Sequence, residues 1–402
     1  MRTLADLGEL RGKRVLVRVD FNVPLEPGPP THGSDDPVVA DDTRIRAALP
    51  TIAALRERGA ALILVSHLGR PQGPDPALSM APVARRLSEL LDEPVVLAAG
   101  TTGPEVKQQA TALREGELLL LENIRFEPGE TKNDPELAQE LAALAEVYVD
   151  DAFGAAHRAH ASTEGVARRI DDRAAGLLLE REVEVLTSLL SDPVRPFVAV
   201  LGGAKVSDKI GVIKALAPLA DAILIGGAMC FPFLQAAHHS VGDSLCADED
   251  VVLARGLIAG RRLSDEPEAS LELPVDLILG DHFGADATPV PLDGVDVPDG
   301  MMGLDIGPRT AAAYAKQIGA AGTVFWNGPM GAFELEQFAA GTKTVAEAVA
   351  FSAAATIVGG GDSAAALVKF GLQDQVTHLS TGGGASLELI EGKELPGVEV
   401  LR

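Results

Sequence analysis

Three glycine-rich turns in the second half of the chain carry the groups best suited to holding phosphate. They read Gly202-Gly203-Ala204-Lys205, Gly359-Gly360-Gly361-Asp362-Ser363 and Thr381-Gly382-Gly383-Gly384-Ala385-Ser386. The first two follow apolar, β-branched runs, Phe197 to Leu201 and Ala355 to Val358, and the third follows a shorter one around Val376 to Leu379. Each precedes a stretch able to form a helix. A strand that turns on glycines into a helix presents bare backbone N–H groups, and the helix dipole adds partial positive charge there. Glycines also close ordinary strand–helix corners. Three such turns in one half, with Lys205 and Lys209 beside the first, favour the phosphate reading.

The first half puts its polar residues at the ends of apolar runs: Asp20-Phe21-Asn22, Ser66-His67-Leu68-Gly69-Arg70-Pro71, Glu122-Asn123-Ile124-Arg125-Phe126 and Asp150-Asp151-Ala152-Phe153-Gly154, followed by His157-Arg158. In open parallel sheets ligands bind at the carboxyl ends of the strands. Arg44, Arg70, Arg125 and Arg158 can then converge with His67 on one small anion, since the guanidinium fork pairs bidentately with carboxylate or phosphate and stays charged. The alternative for each arginine is a solvated surface position. His157, His160, His238 and His239 read as structural or exposed, and Trp326 as core. Asp150-Asp151 reads as a pair of hydrogen-bonding groups ordering a turn, with a metal pair as the alternative.

These groups need a frame. Short apolar runs at Arg14–Asn22, Leu62–Ser66, Val95–Leu97, Leu118–Glu122 and Val147–Asp150 predict strands in the first half. Phe197–Leu201, Ala222–Ile225, Leu277–Leu279, Thr323–Trp326, Thr356–Val358 and Val376–Leu379 predict them in the second. Between them lie helical stretches such as Pro50–Arg58, Pro82–Leu91, Pro135–Ala145 and Lys209–Leu216. Such alternation predicts βαβ units and parallel sheets, here in two α/β domains. Ala175–Leu190 reads as a helix joining the halves, ended by Ser191-Asp192-Pro193. Pro24–Pro37 reads as a surface loop, with Pro27, Pro29, Pro30 and Pro37 denying regular structure.

The 402 residues are 47% hydrophobic and 23% charged, enough for a sizeable core and for two or three domains. The net charge of −24 argues against nucleic acid and anionic membrane as partners. No apolar stretch approaches the ~20 residues that span a bilayer. Met1–Leu10 has no apolar core and reads as no secretory signal. Two cysteines, Cys230 and Cys246, without metal-ligand spacing fit a reducing, cytoplasmic setting.

In these motifs the chain resembles the phosphoglycerate kinase family. The matching stretches are Arg18-Val19-Asp20-Phe21-Asn22-Val23-Pro24, Asp42-Thr43-Arg44-Ile45-Arg46, Ser66 to Pro71, Leu121 to Phe126, Asp151 to Gly154 with Ala156 to His160, Leu201 to Lys209, Trp326-Asn327-Gly328-Pro329-Met330-Gly331, Gly359 to Ser363 and Ser380 to Ser386. They run in family order across essentially the whole chain. The resemblance implies two Rossmann-like domains with parallel sheets joined by a hinge helix. The domains are a phosphoglycerate-binding domain over 1–174, a linking helix over 175–190, a nucleotide-binding domain over 191–385, and a segment over 386–402 returning to the first domain. It implies a monomeric, cytoplasmic glycolytic enzyme transferring a phosphoryl group between 1,3-bisphosphoglycerate and ADP to give 3-phosphoglycerate and ATP, with Mg²⁺.

Carried over by position, Asp20, Phe21, Asn22, Arg44, His67, Leu68, Gly69, Arg70, Arg125 and Arg158 would hold phosphoglycerate. Lys205 and Arg44 would cover the transferring group, and Gly382, Gly383 and Gly384 would donate backbone N–H groups to the transition state. Gly203, Lys205, Lys209, Gly226, Gly227, Asn327, Pro329, Glu334, Gly360, Gly361, Asp362 and Ser363 would hold the nucleotide, with Glu334 at the ribose and Asp362 at Mg²⁺. The chain departs from the family in a longer stretch between Leu25 and Asp41, in Ile225-Gly226-Gly227-Ala228 where a third glycine is common, and in Gly280-Asp281-His282-Phe283 where a lysine is expected.

The chemistry of the residues agrees, since phosphoryl transfer needs charge neutralisation and alignment rather than a general base. No Walker sequence is present, so a P-loop NTPase is excluded at the motif level. Two rivals stay open on the residues alone: a two-lobed kinase for another small carboxylate, and a non-catalytic nucleotide-binding regulator. Retention of both Lys205 and Arg44 weighs against the second.

Overall fold

The computed structural model describes residues 1–28, 36–263 and 269–402. The chain divides into two units, one of Met1–Glu184 with Glu394–Arg402 and one of Val185–Lys393. The helix Leu177–Ser191 carries the boundary. Among the described residues no helix is long and apolar enough to cross a membrane.

The first unit is built on a 6-stranded sheet in the order Val96–Leu97, Leu118–Leu120, Ala61–Val65, Arg14–Arg18, Val147–Asp150, Arg173–Ala175. Every pairing is parallel. Ala61–Val65 is buried along its whole length, as parallel strands covered on both faces must be. Leu62, Ile63, Leu64 and Val65 each contribute about 1.5–3 kcal/mol by leaving water. Because the strands are parallel, their carboxyl ends share one edge. The chain leaves Arg14–Arg18 towards one side of the sheet and Val147–Asp150 towards the other, so the crevice that open α/β sheets use for ligands lies between these two strands.

The second unit repeats the plan in the order Ser270–Glu272, Ala222–Ile225, Phe197–Leu201, Thr323–Asn327, Ala355–Gly359, His378–Leu379, all parallel. Its switch point lies between Phe197–Leu201 and Thr323–Asn327. A separate antiparallel sheet joins Val290–Leu292, Leu277–Gly280 and Met302–Ile306.

Several expectations need correction. Leu277–Leu279 is not a strand of the parallel sheet. Ser270–Glu272 takes that edge, and the few residues after it are far too short for a parallel crossover, which needs a dozen or more. The helix expected from Pro50 starts at Thr43 and runs through Pro50 to Glu57, because Ile45, Ala48, Ile52 and Leu55 form one buried stripe. Arg44 therefore sits in the first turn of a helix. Ala175 ends a strand, and the joining helix starts at Leu177. Pro29 and Pro30 lie outside the described residues, but the flanks of that loop pair as an antiparallel hairpin, Leu25–Pro27 with Pro37–Val39. Leu25 and Val39 pack on the core, and proline is tolerated at such an edge.

Asp150 and Asp151 serve backbone N–H groups. Asp150 Oδ1 accepts from Ala152 at 3.0 Å, and Asp151 Oδ1 accepts from Leu178 and Leu179 at 2.9 and 3.3 Å, capping the joining helix. Among the described residues no group of three His, Cys, Asp or Glu side chains could hold a metal ion. At the other end of the chain, Gly397 N–H donates to the Ala156 carbonyl at 2.8 Å, fixing Glu394–Arg402 within the first unit.

Candidate functional site

In the first unit the carboxyl edge gathers most of the expected anion-binding groups. Arg44 Nη1 donates to Asp20 Oδ2 at 3.1 Å and to the Asn22 carbonyl at 3.2 Å. Asn22 Oδ1 accepts the Gly69 N–H at 2.8 Å, and Arg125 Nη1 donates to the Gly69 carbonyl at 2.6 Å. Ser66 Oγ accepts the Phe21 N–H at 2.8 Å. Three separate turns are thus locked to one another through Gly69, whose φ of +64° favours glycine.

The electrostatics follow from crowding. Burial works against the ionised carboxyl of Asp20, but its neighbours His67, Arg44 and Arg18 and the Asn22 N–H outweigh it and hold its pKa below the usual range. His67 is buried, which drives its pKa down to about 3, with Arg18, Arg125 and Arg44 pushing the same way against Asp20. The pKa of Arg125 is lowered by burial and by its neighbours Arg18 and Arg70. Such crowding of cations is the signature of an anion site. Arg70 and Arg158 are exposed; Arg70 stands near Arg125, and Arg158 follows the turn Phe153–Ala155.

Two residues quoted within the sequence motifs were given no role there. Arg18 is buried, donating to Ser162 Oγ at 2.9 Å and approaching His67 Nδ1 at 3.0 Å. It is the last residue of the strand Arg14–Arg18, where an arginine closing an apolar run gives no separate signal. Asn123 is also buried. Its Nδ2 donates to the carbonyls of Leu68 at 2.7 Å and Leu78 at 2.9 Å, and its Oδ1 accepts the N–H groups of Leu68 and Arg125, both at 3.1 Å.

In the second unit the glycine turns meet at the switch point. Gly202 N–H donates to the Asn327 carbonyl at 3.0 Å, Gly203 N–H to the Pro329 carbonyl at 3.1 Å, and Gly227 N–H to the Met330 carbonyl at 2.9 Å. A Cβ on Gly202 would fall 2.0 Å from the Pro329 oxygen, so the approach requires glycine. Beside this knot lies a cavity of about 490 Å³ with an apolar floor of Phe231, Met302 and Leu304 and with Gly227, Pro329 and Glu334 on its wall. A second, polar cleft of about 230 Å³ is lined by Lys209, Asn327, Gly360, Gly361, Ser363 and Gly383, among others. Asp362 lines both.

The helix Gly361–Phe370 points its first turn into that cleft. Ser363 Oγ accepts the Gly328 N–H at 2.6 Å, and Asn327 donates to the Gly359 carbonyl at 2.8 Å while its buried Oδ1 has no hydrogen-bond partner among the described residues. Burial lowers the pKa of Lys209 to about 8, against the pull of Asp362 and Asp208. The first glycine turn does not start a helix directly, since Ile210–Leu216 begins only after Lys209. Lys205 is exposed and lines neither space. The third turn, with Gly383 at φ +53°, does open a helix, Gly384–Ile390.

One carboxylate, Asp362, beside a phosphate-sized cleft suits Mg²⁺, which is commonly held by one or two carboxylates together with substrate phosphates.

Residues 4–393 match the family model described as Phosphoglycerate kinase. The phosphoglycerate kinase of Rubrobacter xylanophilus is 56% identical over 403 residues, covering 100% of this chain and 98% of that one. That of Moorella thermoacetica is 55% identical over 400 residues, covering 99% and 98%. The structure of phosphoglycerate kinase from Coxiella burnetii superposes with a TM-score of 0.86 at 42% identity, over 99% of this chain and 98% of that one. The Pyrococcus horikoshii phosphoglycerate kinase gives 0.81 at 33%, over 100% and 98%. With two switch-point sites on parallel sheets and identity sustained end to end, this chain belongs to the phosphoglycerate kinase family.

Proposed function

We propose that the chain catalyses 1,3-bisphosphoglycerate + ADP ⇌ 3-phosphoglycerate + ATP, with phosphoglycerate on the first unit and nucleotide on the second. The observation that carries the nucleotide assignment is the apolar cavity and polar cleft sharing Asp362, dimensions and chemistry that suit a purine nucleoside and its phosphates.

In the direction of ATP formation, a β-phosphate oxygen of ADP attacks the acyl phosphorus, the bond from phosphorus to the acyl oxygen breaks, and the carboxylate leaves already ionised. No general base is required. Asp20, Asn22, Arg44, His67, Arg70, Arg125 and Arg158, with the Phe21, Leu68 and Gly69 backbone, hold the glycerate and its phosphate. Arg44 and Lys205 meet the charge of the transferring group, and Gly382 to Gly384 donate backbone N–H groups to it. Lys209, Ser363 and the Gly360-Gly361 turn hold the nucleotide phosphates. Gly203, Gly227, Pro329 and Glu334 line the nucleoside side, with Gly226 next to Gly227 in the chain, and Asn327 lines the phosphate cleft. Asp362 would hold Mg²⁺, which when bound would supply charge neutralisation on those phosphates.

A coupled assay of ADP formation from ATP tests the reading with phosphoglycerate, acetate and aspartate as acceptors. Turnover with acetate or aspartate in preference to phosphoglycerate, or with none of the three, would overturn it. Transfer also needs reacting atoms about 3–3.5 Å apart with water excluded. We therefore propose hinge closure of a cytoplasmic monomer around Leu177–Ser191. Small-angle scattering should show one chain per particle and a radius of gyration that falls most when phosphoglycerate and a nucleotide analogue are both bound; an unchanged radius would exclude closure.

A further inference from the structure

Asp305 sits in the wall of the nucleotide cavity and is buried, yet no step of phosphoryl transfer calls for it. Its two oxygens accept from two different elements. Oδ1 takes its neighbour Ile306 N–H at 2.9 Å, and Oδ2 takes Gly341 N–H at 2.7 Å. Gly341 lies in the first turn of the helix Ala340–Ala350, so the carboxylate caps that helix from the strand Met302–Ile306. Two glycines press on the same group. A Cβ on Gly331 would fall 2.3 Å from Asp305 Oδ1, and one on Gly341 would fall 2.4 Å from it. The strand Met302–Ile306 also accepts the Ala332 N–H at the Leu304 carbonyl, 2.7 Å. The segment thus pinned, Pro329 to Glu334, is the part of the wall that turns towards the nucleoside.

We propose that Asp305 is a positioning residue for nucleotide binding, clamping strand, turn and helix so that Pro329, Gly331 and Glu334 stand at fixed distances around the nucleoside. The proposal rests on the nucleotide reading of this cavity. Two donors aimed at two separate oxygens need a carboxyl group: an asparagine would turn its own NH₂ against one of them. Burial raises the pKa of Asp305 to about 7, against the two backbone N–H groups that stabilise the charged form, so the clamp holds a group close to its own titration point.

The test measures ADP and 3-phosphoglycerate dissociation constants, turnover at saturation and thermal unfolding for wild type, Asp305→Asn and Gly341→Ala. Gly341 does not line the cavity; its added methyl would fall 2.4 Å from both Asp305 Oδ1 and Ile306 Cγ1, so it displaces the carboxyl group and presses on the Ile306 side chain while the aspartate itself is retained. Both variants should weaken ADP roughly tenfold or more. Phosphoglycerate affinity should stay unchanged and saturated turnover should fall less than about threefold. A purely structural role would lower the unfolding temperature and leave ADP affinity intact, or weaken both ligands alike, and either result overturns the proposal. If Asp305→Asn does not fold, Gly341→Ala decides alone. A wild type that binds phosphoglycerate but no ADP would overturn the nucleotide reading itself, and the role of Asp305 with it.

Discussion

Arg18 holds a guanidinium nitrogen 3.0 Å from Nδ1 of His67. A guanidinium only donates, so Nδ1 accepts and the ring proton resides on Nε2, free to donate to an anion. His67 is therefore a neutral hydrogen-bond donor in a cluster that already carries ample positive charge.

This fixes a pH dependence. The folded pKa of His67, about 3, lies below the 6.5 of an ordinary histidine. Between those values the unfolded chain binds the extra proton, so the stability contribution is present in full above the unfolded pKa and is lost as pH falls towards 3. His67→Gln should flatten the rise of unfolding temperature between pH 5 and 7 relative to wild type. An equally steep rise in the variant would show that His67 is protonated in the folded state.

Arg44→Ala should lower turnover far more than nucleotide affinity, by roughly 10²–10³ in kcat. Arg44 also pairs with Asp20, so the phosphoglycerate KM should rise as well. Steady-state kinetics with each substrate varied would check this, and wild-type turnover at saturation would exclude the assigned role.

Asn123→Ala removes four hydrogen bonds linking the Leu68 turn to Leu78 and Arg125. Buried groups left unpaired cost about 1–3 kcal/mol each. Phosphoglycerate KM should rise about tenfold or more while the ADP dissociation constant holds, which titration calorimetry with each ligand resolves.

Lys209, with a pKa of about 8, carries its charge below that pH and loses it above. ADP affinity should therefore decline as pH rises from 7.5 to 9. Lys209→Met should bind ADP more weakly at pH 7 and lack that limb. A limb of the same amplitude in the variant would assign it to another group.

Asp362→Asn should weaken ADP in the presence of Mg²⁺ far more than in EDTA, and leave phosphoglycerate binding untouched. Equal losses with and without the metal would remove Asp362 from the metal role.

The parallel sheets, the strands Val147–Asp150, Phe197–Leu201 and Ala222–Ile225, and the polar residues at strand ends were legible from the chain alone. Short runs of β-branched residues closed by glycine or a polar cluster encode a buried strand and its exit locally. The same local code failed at Leu277, where an apolar run cannot say which sheet it joins, and at Pro50, where a buried stripe of Ile45, Ala48, Ile52 and Leu55 outweighed the proline. Arg18, Asn123 and Asp305 acquire their roles from partners distant in sequence: His67 and Ser162, Leu68 and Leu78, Gly341. Residue types and spacing pointed to phosphate binding and to the turns proposed for it. Only the tertiary structure decided which donors meet which acceptors, because burial and proximity, not composition, make His67 neutral and hold Asp20 ionised.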